Sequence, residues 1–355
     1  MTTYRVGLVG CGRMGTTIDD EVRDRPNSEL FLPYSHAAAV VACDRTDLVS
    51  VSDPFQEKAE SAAARYDVPG VYTDAEEMIR KENLDIVCIA TRPSPHAPVT
   101  VFAAENGVRA VYCEKPLCNS PAESDAMAAA LTKHGVLFNY GTQRRYVALY
   151  RQMRSMIEAG DIGDLQAVIA HCGASSAQWG HTHAADMLLF LAGDGEVEFV
   201  QGTVRFEASD WDGDRLTIDP AIEQGYVRFA SGVHGHLVAA GGYEFEISGS
   251  EGKLRTLSNG IGYTWRRVGD FGELIDQQGP EAPIESGTLR AIEDLAQALD
   301  GPGEPDGTAQ TAGGIDVARR SQEIVFGLIA SQRAEGRRIE LPLTEREWSI
   351  QPDNY

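Results

Sequence analysis

The run Gly10-Cys11-Gly12-Arg13-Met14-Gly15, set between the apolar stretch Arg5 to Val9 and a polar helix start, constrains this chain more than any other feature. G-x-G-x-x-G in that context is a strand-to-helix turn. Gly10 allows the tight bend, Gly12 brings the backbone close to a diphosphate with no Cβ in the way, and Gly15 lets the helix pack on the strand. The unpaired N–H groups of the helix start favour an anion there, so Gly10, Gly12, Arg13, Met14 and Gly15 are candidate cofactor-binding positions.

The following pattern agrees. Short apolar runs at Leu48 to Ser52, Asp85 to Ala90, Arg109 to Cys113 and Val136 to Tyr140 alternate with alanine-rich helical stretches at Phe55 to Tyr66, Asp74 to Lys81, Pro95 to Asn106 and Ser120 to His134. Near-continuous apolar strands alternating with helices predict a parallel sheet covered on both faces, here over residues 1–141. After a helix at Val147 to Glu158 the period changes to two, in strands at Leu165 to Cys172, Val197 to Glu207, Tyr226 to Ala230, Val233 to Ala240, Tyr243 to Ser248, Lys253 to Leu257 and Ile261 to Val268. Residues 142–355 thus read as an α+β domain with a mostly antiparallel sheet. Helices at Thr288 to Leu299 and Thr311 to Ala334 close it, joined by a Gly- and Pro-rich loop at Asp300 to Thr308. The fold class is α/β, a Rossmann domain followed by this second domain.

With 53 acidic against 31 basic residues the formal net charge is −22, and no Lys/Arg cluster offsets it locally. Such a surface repels phosphate backbones and anionic membranes, so nucleic acid and membrane are not expected partners. The first residues lack a basic, apolar leader pattern and no long apolar run occurs, so a cytoplasmic location is expected. Cys11, Cys43, Cys88, Cys113, Cys118 and Cys172 form no C-x-x-C pair and read as reduced packing residues.

A dinucleotide reader also needs an acid at the end of its second strand, where it accepts from the adenosine ribose and repels a 2′-phosphate. Asp53 fits and favours NAD over NADP, although it lies beyond the usual spacing of about 20 residues. An insertion around Pro26 to Ser35 would account for the excess, lying over the adenosine or at a subunit contact. Asp44 is the other candidate, but the Ala39 to Cys43 run before it reads as the end of a displaced helix. The fifth strand runs into Cys113-Glu114-Lys115-Pro116, at the carboxyl edge where doubly wound sheets bind ligands. Lys115 is one of five lysines in a chain that otherwise uses Arg. An amine there can take or polarise a hydroxyl proton while hydride leaves the carbon, provided its ordinary pKa of about 10.4 falls toward about 7 to 8. The alternative is a surface lysine paired with Glu114.

These motifs together resemble the Gfo/Idh/MocA family, the glucose-fructose oxidoreductase and inositol dehydrogenase group, over nearly the whole chain. The resemblance rests on Gly10 to Gly15, Leu48 to Pro54, Thr91-Arg92-Pro93-Ser94-Pro95-His96, Glu114 to Leu117, Gln143-Arg144-Arg145-Tyr146, and His183-Ala184-Ala185-Asp186 with Leu188 to Gly193. It implies that Thr91, Pro93 and His96 line the cofactor, that Glu114 meets the nicotinamide side, and that Lys115 assists at the reacting hydroxyl. Gln143 joins the cofactor positions and Arg144 the substrate positions. An open sheet supporting a homodimer or homotetramer is implied as well.

His181-Thr182-His183-Ala184-Ala185-Asp186 reads as a helix start, with Thr182 as cap and Asp186 in the first turn. His183 and Asp186 share a helix face. Alone, His183 would be a structural histidine; the resemblance makes it the match for the histidine working beside the lysine, a role worth about 10² to 10⁴-fold. Trp179 stands where many dehydrogenases of the family carry an aspartate. Either His181 substitutes for that carboxylate, or Trp179 offers its face to a sugar ring, or the activity has moved away from simple alcohol oxidation. Tyr243 is a further candidate in the substrate cleft, with a core aromatic as the equal alternative. The pair His234 and His236 lies on one strand face with no further ligand at metal spacing, so no metal is expected.

The expected function is NAD-dependent hydride transfer to or from a secondary hydroxyl or ketone of a sugar, sugar derivative or cyclitol, with Lys115, His183 and Asp186 as the catalytic set. The rivals are a redox-assisted glycoside hydrolase or lyase holding its NAD tightly, a dinucleotide-binding regulator without turnover, and a tetrapyrrole reductase.

Overall fold

The computed structural model describes residues 2–301 and 311–352. The chain divides into two compact units, Met1–Val147 with Ile284–Ala318, and Ala148–Pro283 with Arg319–Tyr355. A single boundary between 141 and 142 does not anticipate the return of residues 284–318 to the first unit.

In the first unit, strands β1 (Tyr4–Val9), β2 (Thr46–Ser52), β3 (Gly70–Tyr72), β4 (Ile86–Ile89), β5 (Ala110–Cys113) and β6 (Leu137–Tyr140) alternate with helices α1 (Ile18–Val22), α2 (His36–Ala42), α3 (Gln56–Tyr66), α4 (Ala75–Glu82), α5 (His96–Glu105) and α6 (Pro121–His134). The strands form one parallel sheet in the order β3-β2-β1-β4-β5-β6. Every residue of β4 and β5 is buried, as expected for strands covered on both faces. Caps set the helix starts: the side chains of Ser35, Asp74 and Ser120 accept from the N–H of Ala38, Glu77 and Glu123. Strand β3, three residues long, carries too short a pattern to be legible beforehand.

The second unit begins with α7 (Ala148–Glu158), followed by β7 (Leu165–His171), β8 (Ser175–Ser176), α8 (Thr182–Leu191), β9 (Val197–Arg205), β10 (Trp211–Asp212), β11 (Arg215–Leu216), β12 (Ala221–Phe229), β13 (His234–Val238), β14 (Glu244–Gly249), β15 (Gly252–Leu257), β16 (Gly262–Val268) and β17 (Leu274–Gln277). Helix α9 (Gly287–Asp300) then returns to the first unit. Its Ala291, Ile292, Leu295 and Ala296 are buried with Tyr4, Val6 and Tyr112, a burial worth about 2 kcal/mol for each large side chain. Helix α10 (Ile315–Arg333) and the short strands β18 (Ile339–Glu340) and β19 (Ser349–Ile350) end the chain. From Pro302 to Thr308 the expected Gly- and Pro-rich loop lies outside the described residues.

Among the described residues the large sheet runs β17-β16-β15-β14-β7-β13-β12-β9-β18, with β8 beside β12. Only β7 and β13 pair in parallel within it. Gly202 and Gly225 face each other across β9 and β12, where a Cβ would lie 2.7 and 3.1 Å from Leu328. The missing side chains let α10 settle onto the sheet. No helix among the described residues is long and apolar enough to cross a membrane.

Candidate coenzyme and catalytic site

The glycine turn divides its three tasks as the sequence predicts. Gly10 has φ +97°, and a Cβ there would lie 2.8 Å from the Ala90 backbone. A Cβ on Gly15 would come within 2.0 Å of the Gly10 carbonyl oxygen, whereas one on Gly12 meets nothing within 4 Å. Gly12 therefore borders open space at a helix start, the cradle a diphosphate requires, and the residues present fit a dinucleotide. The first turn, Arg13–Thr17, is π-helical before α1 begins, with Thr16 Oγ1 donating to the Cys11 carbonyl at 2.9 Å. Arg13 reaches sideways to Glu21 at 2.8 Å.

Asp53 follows β2 and is 6% exposed. Its Oδ2 accepts the Cys11 N–H and its Oδ1 the Phe55 N–H, both at 3.0 Å. The carboxylate thus ties the glycine turn to the second strand while each oxygen keeps acceptor capacity for a ribose hydroxyl. Asp44 lies exposed between α2 and β2, at the amino end of that strand, and drops out as the ribose acid. Residues 23–35 separate α1 from α2 and account for the long spacing to Asp53.

At the carboxyl end of β5, Glu114 is buried and Lys115 partly exposed. Glu114 Oε1 lies 3.4 Å from Nε2 of His36, and Oε2 accepts the Lys115 N–H at 2.9 Å. Burial opposes ionisation of this carboxyl. The His36 hydrogen bond and charge, the Lys115 amine and the Lys115 N–H outweigh it and hold the group below its ordinary range. A buried carboxylate engaged this way is not half of a surface ion pair; it is a fixed negative charge beneath the lysine. Nothing in the sequence flags His36, which opens α2 fully buried, its ring 4.6 Å from that of Tyr112.

The loop after β4 is braced by a buried histidine. His96 has no exposed surface; Nδ1 lies 2.8 Å from the Pro116 carbonyl and Nε2 3.2 Å from that of Thr91. Burial pushes its imidazole below the usual range, against the pull of those carbonyls. His96, expected as a cofactor contact, is fully enclosed and links Thr91 to the Lys115-Pro116 turn. In the turn Gln143–Tyr146, Gln143 is 3% exposed and packs where Gly287 leaves room for it. Arg145 points inward to the Ala312 carbonyl at 2.7 Å, leaving Arg144 the partly exposed member of the pair.

In the second unit α8 starts differently from expectation. Residues Ala177–His181 form a π-helical turn, and Thr182 Oγ1 donates to the Gln178 carbonyl at 3.0 Å instead of capping. Asp219 explains the irregularity: its carboxylate accepts the N–H groups of Gln178 at 2.8 Å and Trp179 at 3.0 Å, doing the cap's work from outside the helix. Asp186 lies beyond the first turn and is fully buried, so attraction to the helix end does not place it. His183, one turn before it on the same face, is half-buried.

Trp179 is 48% exposed, and Tyr243 donates its hydroxyl to the Gly180 carbonyl at 3.3 Å, so Trp179, Tyr243 and His183 gather about one turn. His181, expected to touch substrate, is 1% exposed. Burial pushes its imidazole down to about 4, only partly offset by the Ile222 and Gly173 carbonyls, neither of which forms a well-aligned hydrogen bond with the ring. It is a neutral core histidine at the end of the π-helical turn. Tyr226 packs against both His234 and His236, and His234 Nδ1 lies 2.9 Å from the Tyr226 hydroxyl. Among the described residues no group of three or more His, Cys, Asp or Glu could hold a metal ion.

Residues 4–142 match the Gfo/Idh/MocA oxidoreductase family, NAD-binding Rossmann fold. The scyllo-inositol 2-dehydrogenase (NAD(+)) of Bacillus subtilis is 29% identical over 270 residues, 70% of this chain and 72% of that protein. The rhizopine catabolism protein MocA of Rhizobium meliloti is 30% identical over 216 residues, 59% of this chain and 57% of that one. Several further curated relatives are matched over roughly half of their own length. A levoglucosan dehydrogenase solved with NADH superposes with a TM-score of 0.74 at 20% identity, covering 96% of this chain and 100% of that one, and so shares the fold. Residues 4–142, the bulk of the first unit, thus form an NAD-binding Rossmann domain of the Gfo/Idh/MocA oxidoreductase type.

Proposed function

We propose that the protein transfers hydride between NAD and a secondary hydroxyl or ketone of a sugar, sugar derivative or cyclitol. The observation that carries this is the end of β5, where a partly exposed Lys115 stands over a buried, ionised Glu114 in a domain whose Gly12 borders open space. Inositol dehydrogenases among the relatives support a cyclitol or related polyol. NAD, when bound, supplies the hydride acceptor. Asp53 takes the adenosine ribose hydroxyls and disfavours a 2′-phosphate. Thr91 and Pro93 line the nicotinamide side, held in place by His96. Lys115 polarises the reacting oxygen, His183 exchanges its proton, and Asp186 orients His183 from within α8. Arg144, Trp179 and Tyr243 select the substrate, Trp179 by offering an exposed aromatic face to a ring.

A homodimer or homotetramer is the proposed assembly. The exposed Phe271, Leu274 and Ile275 along the β16–β17 edge are apolar surface that a second copy would cover.

The test is anaerobic incubation of purified protein with NAD and a panel of polyols and glycosides, following NADH absorbance and product mass together. Stoichiometric NADH with a ketone product is expected. Bond cleavage without NADH would instead establish the redox-assisted hydrolase, which the aromatic Trp179 in place of an aspartate favours as second reading. Tight NAD binding with no chemistry on any member would overturn the enzymatic reading.

A further inference from the structure

Helix α2 is anchored before it begins. The buried Asp19 accepts the N–H of Tyr34 with one carboxylate oxygen and that of Ser35 with the other, both at 2.9 Å, and Ser35 Oγ in turn accepts the Ala38 N–H at 3.2 Å. His36, the first residue of the helix, is thereby set with no exposed surface. Among the described residues its imidazole makes a single hydrogen bond: Nδ1 has no partner, and Nε2 lies 3.4 Å from Glu114 Oε1. An ionised carboxylate only accepts, so Nε2 carries the hydrogen. Enclosing an imidazole with one nitrogen unsatisfied is costly, and an apolar side chain would fill the same space without that cost. What the histidine adds is the contact with Glu114.

Glu114 is held on three sides. Besides the Nε2–H of His36 it has the Lys115 N–H, 2.9 Å from Oε2, and the chain leaving β6 passes directly against it, where a Cβ on Gly141 would lie 3.3 Å from the carboxyl carbon. Tyr34, Tyr112, Cys113 and His96 also feel this carboxylate and stay neutral, because burial raises the two phenols and the thiol and lowers the imidazole. Its charge is answered by His36 and by Lys115. Without the Nε2–H, burial favours the protonated carboxyl, and the lysine next in the chain loses its negative neighbour.

Resting on the proposed role of Lys115 at the reacting oxygen, we infer that His36 is a positioning residue: its Nε2–H holds the Glu114 carboxylate against the Lys115 turn, and that fixed anion keeps the amine cationic and able to polarise the oxygen. With no surface of its own exposed, His36 acts through Glu114.

The chain has five lysines, so reductive ¹³C-methylation of the full-length protein gives few enough NMR signals to titrate Lys115 directly, assigned by its loss in Lys115→Arg. His36→Leu and His36→Met fill the space without a donor, and each is expected to lower the Lys115 midpoint by about one pH unit, whereas His36→Gln keeps a donor and leaves it within about 0.3. In a Glu114→Gln background, His36→Leu should add nothing further. With a polyol that yields NADH, His36→Leu should lower kcat about tenfold while the NAD dissociation constant stays within about threefold. An unmoved midpoint in both donorless variants, the same drop with and without the Glu114 carboxylate, or an unchanged kcat would overturn the inference. The titration uses neither coenzyme nor polyol, so absence of turnover in the unaltered protein overturns the proposed reaction, and an unmoved midpoint overturns the role of His36, each independently of the other.

Discussion

The start of α1 and the start of α8 are both π-helical first turns leading into a helix, yet they are built on opposite principles. The first is made by absences: three glycines, each needed because a Cβ would strike backbone or fill the diphosphate cradle. The second is made by side chains from elsewhere in its unit. Asp219 holds the Gln178 and Trp179 N–H groups, Gln322 donates to Gln178 Oε1 at 2.9 Å, and Tyr243 holds the Gly180 carbonyl. A turn defined by missing atoms is local and can be read from spacing. A turn defined by distant partners cannot.

Four predictions set these regions against each other. The largest effect is expected at the chemistry: Lys115→Met should lower turnover by about 10³-fold while NAD affinity stays within about tenfold, measured by steady-state kinetics and calorimetry. Full activity in that variant would remove the lysine from the mechanism.

The next concerns His181 in the α8 turn. Its imidazole titrates at about 4 when folded, against an unfolded value near 6.5. The unfolded chain therefore binds the proton more readily between these values. The stabilisation from keeping His181 neutral is fully present above about pH 6.5 and lost as pH falls through 4, up to about 3 kcal/mol. Urea unfolding of the protein and of His181→Gln should diverge in slope across that window, and parallel curves would mean that the ring is not desolvated.

Third, Gly15→Ala should destabilise the first unit by about 2 kcal/mol, because its Cβ meets the Gly10 carbonyl, a backbone atom that cannot step aside. The smallest shift belongs to Gly12→Ala, which should leave unfolding unchanged within about 0.5 kcal/mol yet weaken NAD about tenfold. If the two alanine variants behaved alike, the division between packing glycine and ligand-facing glycine would be wrong.

The same contrast governs how much could be read beforehand. The parallel sheet, the helices with Ser or Asp caps, and the positions of Asp53 after the second strand and of Glu114-Lys115 after the fifth were legible, because each depends on a period of hydrophobicity or a motif a few residues long. The return of α9 to the first unit was not, since its apolar face says that it is buried but not against which sheet. His36 was illegible for the same reason: its meaning comes from a carboxylate distant in sequence. The burial of His181 and His96, both named as ligand contacts, was not legible, because sequence reports that a ring is present but not how deeply it is enclosed.

The central claim, hydride exchange between a polyol carbon and NAD on this protein, is tested most directly by single-turnover incubation with NAD and polyols deuterated at their ring CH–OH carbons, followed by mass analysis of the coenzyme. Deuterium appearing in the nicotinamide ring with at least one polyol, and vanishing in Lys115→Met, is the predicted result. Bound NAD that stays unlabelled with every polyol offered would contradict the account.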